Sequence, residues 1–573
     1  MENARGKDPV TPIADSRFPA SDRRVSRSMD RARRSSLDRS KPRDMTIPPR
    51  EGGTRWERIG FGILLVGGLS LTARILRLDG TEFWFDEAYT GLVSFLGLGD
   101  IWRQVRGEVS PPLYYVLIGG WAAIGGHSEF ALRALSVCAG SLTALCAYAI
   151  GRSVSPSAGI SAGLVVAFAP LHVHYSREAR MYAMLVLLLT AAVGCLLRAL
   201  AEPGPKRKAW WIGYSACSAA AIWTHYFAVL TLPAAALLAM GGQGRRARRE
   251  LLWAHAGIAL AVLPLLPWVR DQVRLPAVSW LEALYRAIPP ALAIPRTLEL
   301  FAPGALYPPY AQFQFGDPLW RPATYLLLGA VLSAGALSAI RGSPAERMLA
   351  RTGLAYLLVP LGLMALLSAA RPIYLLGRYD LVAFPGFILV AGVGIARMPP
   401  LGRAAVGIVG IALALHSLWP IYAKGEERAC LVRAVARRVV PALEGGDVVI
   451  YTGYSVPEVG YALRLAGRAP AEMTLPRSSL QHPGWIEEKI LADPPQLRRE
   501  AALVATEAAN KAGAHRVWLI LDDRVPGPQE AVDALQALGY RALAKQDLLD
   551  GRPGRWRQPM YAIPFSRPSA APF

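Results

Sequence analysis

The sequence predicts an all-α polytopic membrane protein of about eleven transmembrane helices, ending in a small C-terminal α/β extracytoplasmic domain. Three observations carry this. Between Arg58 and Tyr422 apolar runs of roughly 15–22 residues follow one another, and a run near 20 crosses a bilayer core of about 30 Å. Only 18% of the 573 residues are charged and 53% are hydrophobic, against about a quarter charged in a soluble enzyme. Beyond Tyr422 the pattern changes. Short strand-like runs, DVVIYT (447–452) and RVWLILDD (516–523), alternate with helical stretches such as QEAVDALQALG.

Residues 1–55 are rich in Arg, Asp, Ser and Pro and bury too little surface to fold, so a disordered, basic cytoplasmic tail is expected there. The first apolar block begins only at Ile59, which is not the layout of a signal peptide. A start at Met45 would remove most of the tail. The transmembrane domain then runs over 56–422, and the α/β domain over 423–573.

The spans are expected at 59–77, 131–151, 157–174, 181–200, 209–224, 226–241, 251–270, 321–340, 352–370, 380–396 and 404–422. A further run, PPLYYVLIGGWAAIG (111–125), is short and opens with two prolines, like an interfacial or re-entrant segment. Parity decides its placement. If 111–125 does not cross, Arg152, Lys206 to Lys208, Arg245 to Arg249, Arg341 to Arg351, Arg397 and Arg403 all lie in the cytoplasm. If it crosses, all of them move outside, against the positive-inside rule. The loops 78–130 and 271–320 and the C-terminal domain are therefore expected on the outer face, with short turns around Glu178, His225 and Arg378 beside them.

The net charge of +21 is spread over these inner loops and forms no aromatic-interleaved basic groove, which argues against nucleic acid as a partner. Cys138, Cys146, Cys195, Cys217 and Cys430 have no metal-ligand spacing, and four of them sit inside apolar blocks as small buried hydrophobes.

Chemistry is expected where ionisable side chains gather at the outer surface. The loop LDGTEFWFDEAYTGL carries Asp86 and Glu87 among aromatics. Adjacent carboxylates on a helix point about 100° apart, so one can face a pocket while the other serves the backbone or a metal. In HVHYSREARMYAM, Glu178 lies between Arg177 and Arg180, beside Tyr175 and Tyr182. An ionisable residue at such a depth is a functional candidate. His172 and His174 read as packing or interface residues at a helix end. His225 in WTHYFAVL can bind a phosphate or hydroxyl or sit as a plain interfacial histidine, and Arg378, beside Tyr379 in LLGRYDLVAFPG, can snorkel to lipid headgroups or clamp a phosphate.

The ordered set FWFDEAYT, SPPLYYVLIGGW, SEFALRALSVCAG, YSREARMYAM, WTHYF and GRYDLVAFPG resembles glycosyltransferase family 39, which includes protein O-mannosyltransferases and is similar to the lipid A aminoarabinose transferases. The resemblance covers roughly 59–400 and implies a GT-C fold and a polyprenyl-phosphate sugar donor. Relatives often carry His or Lys before the two prolines, where this chain has Ser110. By this resemblance Asp86 is the general base of an inverting transfer, and Glu178 is a second acid that orients the acceptor or helps hold a divalent ion. Glu87 is counted with them as catalytic. A Mg or Mn ion, if used, falls to Asp86 and Glu178. Arg378 is the candidate for the lipid phosphate, and Tyr114, Tyr115 and Trp121 for the approach of the polyprenyl chain. His225, Tyr379, Arg177 and Tyr182 complete the expected substrate-binding set.

The expected function is transfer of a sugar from the lipid donor to a lipid, glycan or protein acceptor at the outer face of a bacterial inner membrane. A transporter or flippase of lipid-linked sugars is the rival class, but its site belongs near the bilayer midplane between broken helices. A lipid-linked oligosaccharide ligase or polymerase is the rival among enzymes.

Overall fold

The computed structural model describes residues 52–241, 244–272, 290–304, 319–423, 431–480, 493–513, 515–522, 526–548 and 560–567. The tail up to residue 51, most of the loop 271–320, Cys430 and Asp523 lie outside the described residues.

All eleven apolar segments are helical. The first is α1 (Gly52–Ile75), which starts inside the stretch expected to be tail. Three short helices follow in the loop after it: α2 (Phe85–Ser94), α3 (Leu98–Val105) and α4 (Leu113–Gly125). At 1.5 Å per residue α4 measures about 20 Å, too short to cross, as parity requires. Next come α5 (Glu129–Arg152), α6 (Pro156–Phe168), α7 (Pro170–Ser176), α8 (Tyr182–Ala201) and α9 (Lys206–Thr224). A 3-10 turn at Tyr226–Thr231 leads into α10 (Leu232–Met240), and α11 (Arg245–Val262) continues into α12 (Leu266–Gln272). The bundle closes with α13 (Pro290–Phe301), α14 (Arg321–Arg341), α15 (Pro344–Ala370), α16 (Phe384–Arg397, entered through a 3-10 turn at Tyr379–Ala383) and α17 (Pro400–Ala423).

Seven of these helices are long and apolar enough to cross a membrane, or eight with the bent pair α6–α7. Several run past their apolar stretch. Helix α11 opens in the basic run at Arg245, and α15 opens at a capping box in which Ser343 accepts from the Glu346 N–H and Glu346 accepts from the Ser343 N–H.

The expected span 157–174 is not one rod. Its two halves meet at 62°, because Pro170 has no N–H to continue the ladder and its ring displaces the preceding turn. The carbonyls this frees are met by a buried arginine. Arg74 of α1 donates to the Val166 carbonyl (2.9 Å), the Ala167 carbonyl (3.4 Å), Ser70 Oγ (2.8 Å) and His172 Nδ1 (2.8 Å). An ionised side chain at this depth is tolerated because both of its Nη groups find partners.

Helix α16 runs through the middle, buried from Phe384 to Gly394. Small residues let its neighbours close in: a Cβ on Gly386 would strike the Leu357 backbone, and one on Gly394 the Val331 carbonyl.

After α18 (Leu431–Arg438) the chain forms β1 (Val448–Thr452), α19 (Val456–Leu465), β2 (Ala471–Leu475), α20 (Pro494–Ala512), β3 (Val517–Asp522), α21 (Pro528–Ala537), β4 (Arg541–Ala542), β5 (Gln546–Asp547) and β6 (Met560–Ser566). The sheet order is β2-β1-β3-β6-β4, with β5 also on β6. Strands β2, β1 and β3 are parallel, in register Val448↔Ala471 and Val448↔Val517, and β6 runs antiparallel to β3. Alternation divides the two faces. Val448, Ile450, Val517 and Leu519 pack on α20 and α21, while Val449, Tyr451, Trp518 and Ile520 join α19 and the core that continues into the bundle.

Candidate active site

Asp86 stands in the first turn of α2, behind an extended Trp84. Its Oδ2 faces two guanidiniums, Arg378 Nη2 at 3.3 Å and Arg180 Nη2 at 3.7 Å. Arg378 also lies over the rings of Trp84 (5.4 Å) and Tyr182 (5.7 Å). Arg180 donates to Tyr115 Oη (3.1 Å) and to the Asp86 carbonyl (3.3 Å).

Local sequence explains how Arg378 is aimed. Gly377 takes φ +72°, a left-handed turn open to glycine. Its N–H donates to Asp380 Oδ2 (3.0 Å), which also accepts from Thr297 Oγ1 of α13 (2.6 Å). The buried carboxylate of the motif GRYD therefore fixes the turn that presents its arginine.

These groups form one wall of a cavity of about 400 Å³ that also takes in Tyr89, Glu108 to Pro111, Met181, His225 to Phe227, Tyr379 and Tyr454. The segment before the two prolines is tied down by Gln272, which donates to the Ser110 carbonyl (3.4 Å) and accepts from Tyr226 Oη (2.7 Å). Burial lowers the pKa of His225 to about 3, reinforced by Arg180 and Arg378. The imidazole is neutral, and because Nδ1 accepts from the Phe227 N–H (3.3 Å) its proton sits on Nε2.

Of the residues expected from sequence, Asp86, Tyr182, His225, Arg378 and Tyr379 come together here. Others are turned elsewhere. Glu87 is 1% exposed and takes both oxygens to Arg133, Oε1 to Nε (2.8 Å) and Oε2 to Nη2 (2.7 Å), while Oε1 also accepts from the Ala179 N–H (2.8 Å). It locks α2 to α5 and to the turn carrying Arg180, and stands outside the cavity. Arg177 donates to the Arg74, Leu76 and Arg77 carbonyls (2.8, 2.7 and 3.1 Å), so it caps the end of α1. Tyr114 packs against α5 with its hydroxyl 3.4 Å from Ser136 Oγ, and Trp121 donates to the Ala131 carbonyl (2.8 Å). Tyr115 stands behind the wall, where its hydroxyl accepts from Arg180 and its ring packs edge-on against Tyr89 at 5.9 Å.

Glu178 Oε1 lies 3.2 Å from His174 Nε2 and outside the cavity wall. Asp86 and Glu178 thus do not converge on one point. Among the described residues no group of three His, Cys, Asp or Glu side chains could hold a metal ion. Asp86 with Glu178, the donor pair expected for a divalent ion, does not fit one in this arrangement.

Sequence reasoning missed Glu108, the second carboxylate of the wall, and Tyr454, which comes from the C-terminal domain. Trp84 was legible as the neighbour of Asp86. Nothing local distinguishes Tyr454.

A helical bundle of this kind, with a polar aromatic cavity at one end and a small sheet region beside it, has the GT-C fold of multi-pass membrane proteins. Residues 109–269 match the family described as Dolichyl-phosphate-mannose-protein mannosyltransferase, so the resemblance to glycosyltransferase family 39 is borne out. Among solved structures the chain is similar to ArnT from Cupriavidus metallidurans bound to undecaprenyl phosphate, with 13% identity over 91% of this chain and 100% of that one at a TM-score of 0.56. The apo state of the same protein gives 14% identity, 89% and 98% coverage and a TM-score of 0.53. No curated protein matches the sequence at a significant level.

Proposed function

We propose that this chain transfers a sugar from a polyprenyl-phosphate donor to an acceptor hydroxyl on the outer face of a bacterial inner membrane, with inversion and with Asp86 as base. The observation that carries the reading is the one Asp86 oxygen lying between Arg378 (3.3 Å) and Arg180 (3.7 Å) in an aromatic cavity of this fold. Guanidinium forks match phosphate oxygens. A donor phosphate between the two arginines takes over the N–H groups now directed at Asp86 and frees its Oδ2. The acceptor oxygen then bonds to the anomeric carbon as the bond to the phosphate oxygen breaks. Its proton passes to Asp86, and the bonding pair leaves with the lipid phosphate, whose added charge the guanidiniums stabilise. Neutral His225 offers its Nε2–H to an uncharged oxygen.

A second cavity of about 230 Å³ is lined mainly by apolar side chains of α6, α14, α16 and α17, such as Leu164, Leu328, Phe387 and Val406, with Arg403 among them. It suits a stretch of isoprenoid chain, which is all carbon and needs no polar partner.

The test uses the full chain in nanodiscs with an undecaprenyl-phosphate sugar. Asp86→Asn keeps the shape of the side chain but cannot take the proton, so turnover should fall at least about a hundredfold while donor still binds. Near-normal transfer by that variant would remove Asp86 as base. The outer-face assignment predicts that cysteines placed at Gly99 and Lys545 react with an impermeant thiol reagent in intact cells. One placed at Arg246 should not react, and labelling there would invert the topology.

A further inference from the structure

One wall of the catalytic cavity comes from outside the membrane bundle. Tyr454 follows β1 by two residues, and its ring meets that of Phe85 edge-on at 5.9 Å, one position from Asp86. The turn that carries it is fixed from two strands. Tyr454 N–H donates to Asp522 Oδ2 at the end of β3 (2.9 Å). Thr452 Oγ1 at the end of β1 donates to the Ile520 carbonyl and accepts from the Asp522 N–H, both at 2.9 Å.

This place is singular in the sheet. From β1 the chain passes through α19 to β2 on one side, then returns through α20 to β3 on the other, and the two helices pack on opposite faces. The chain leaves β1 into α19 on one face and leaves β3 toward α21 on the other, and in open α/β sheets ligands are taken where successive connections part in this way. Here that parting opens onto the cavity that holds Asp86. Helix α19 is seated on α2 by Tyr461, whose ring lies 5.1 Å from Phe83 and whose hydroxyl donates to the His127 carbonyl (2.8 Å). Gly91 makes room for that ring: a Cβ there would stand 2.7 Å from it.

We propose that the β1–α19 turn of the C-terminal domain recognises the acceptor, and that the acceptor is a saccharide whose ring rests on Tyr454 with a hydroxyl set against Asp86. This rests on the transferase reading above. Two features favour a sugar over a peptide. The wall is built of rings (Trp84, Phe85, Tyr89, Tyr226, Phe227 and Tyr454), which take the apolar face of a pyranose and leave its hydroxyls to the few polar ends. The sheet presents strand ends to the cavity, whereas an extended peptide is read by main-chain bonds along a strand edge.

The first test needs no turnover. A benzophenone amino acid at position 454 of the full chain, photoactivated in living cells, should give an adduct that carries hexose or pentose mass and is periodate-sensitive. A peptide adduct, or an adduct only to lipid acyl or isoprenoid chains, would overturn the proposal. The second is kinetic, in nanodiscs, with an undecaprenyl-phosphate sugar as donor and methyl glycosides as acceptor probes. Tyr454→Ala should raise the apparent KM for the glycoside about tenfold, in line with loss of one aromatic face, and leave the donor KM unchanged. Gly91→Val, which wedges α19 from α2 without touching the cavity, should do the same. An equal rise in donor KM, or an unchanged glycoside KM in both variants, would overturn it. Failure of the transferase reading looks different: no sugar leaves the donor with any acceptor, and Asp86→Asn behaves as wild type.

Discussion

Two groups of arginines, one in the frame under the cavity and one in its wall, do opposite work with the same side chain. In the frame, Arg133 gives two N–H groups to Glu87 and others to the Leu78, Thr81 and Glu82 carbonyls (3.1, 2.6 and 3.1 Å). Arg177 closes the end of α1, and Arg74 closes the break in α6. Their partners are fixed groups of the chain itself, at distances typical of made hydrogen bonds. In the wall, Arg180 and Arg378 approach one carboxylate oxygen at longer range, with aromatic rings around them. A guanidinium whose partners are backbone carbonyls holds the fold. One that faces a cavity-lining carboxylate oxygen can exchange that oxygen for a phosphate. Glu87 and Asp86 repeat the contrast one residue apart.

The largest effect should come from breaking the frame. Glu87→Gln leaves Arg133 charged and half-paired in a buried site, where loss of one partner of an ion pair costs about 3–5 kcal/mol. Thermal unfolding in detergent should show a strong loss of stability or of folded yield, while Asp86→Asn should melt like wild type. A Glu87→Gln protein that melts normally and has lost turnover would move Glu87 into the chemistry and dissolve the distinction.

The arginines give the next contrast. Arg378→Ala should raise the donor KM by a factor worth about 1.5–3 kcal/mol, the range of charge-assisted hydrogen bonds, with Arg378→Lys losing less. Arg177→Ala should leave donor kinetics alone and lower stability by about 1–2 kcal/mol, because three carbonyls at the end of α1 lose their donor. Exchanged phenotypes would mean that Arg177, not Arg378, meets the phosphate.

Much of this was legible in the sequence. Helix existence followed from apolar length, and the short α4 from its fifteen-residue apolar run and the charges around it. The site on α2 followed from carboxylates among aromatics. What could not be read depends on direction and on distant partners. Periodicity says that Asp86 and Glu87 diverge but not which one faces the cavity, since Arg133 decides it from 46 positions away. Pro170 was visible, yet the bend it makes needs Arg74 to satisfy the freed carbonyls. An arginine in an apolar stretch was itself a signal, as ionised groups there need a partner. Arg177 and Trp121 have the chemistry of binding residues, and the backbone carbonyls they donate to lie too far along the chain, or too deep in the packing, to be read from a motif. Tyr454 is 368 positions from Asp86, beyond any motif.

His225 gives the smallest and sharpest test, because it belongs to the wall by position and to the frame by burial. Burial, then Arg180 and Arg378, bring its pKa from the ordinary 6.5 to about 3. Between those values the unfolded chain binds a proton that the folded chain refuses. The contribution is therefore neutral above pH 6.5, and stability falls as pH drops through the window toward 3, by at most about 1.4 kcal/mol per unit from this group. His225→Gln should flatten that slope in thermal unfolding between pH 6.5 and 5. Catalysis should respond differently. The folded imidazole stays neutral across pH 5 to 8, so the pH profile of kcat/KM for the donor should keep its shape in His225→Gln and change only in height. If an acid limb near 6.5 is present in wild type and vanishes in the variant, the folded imidazole titrates, and the two arginines do not press on it as their positions require.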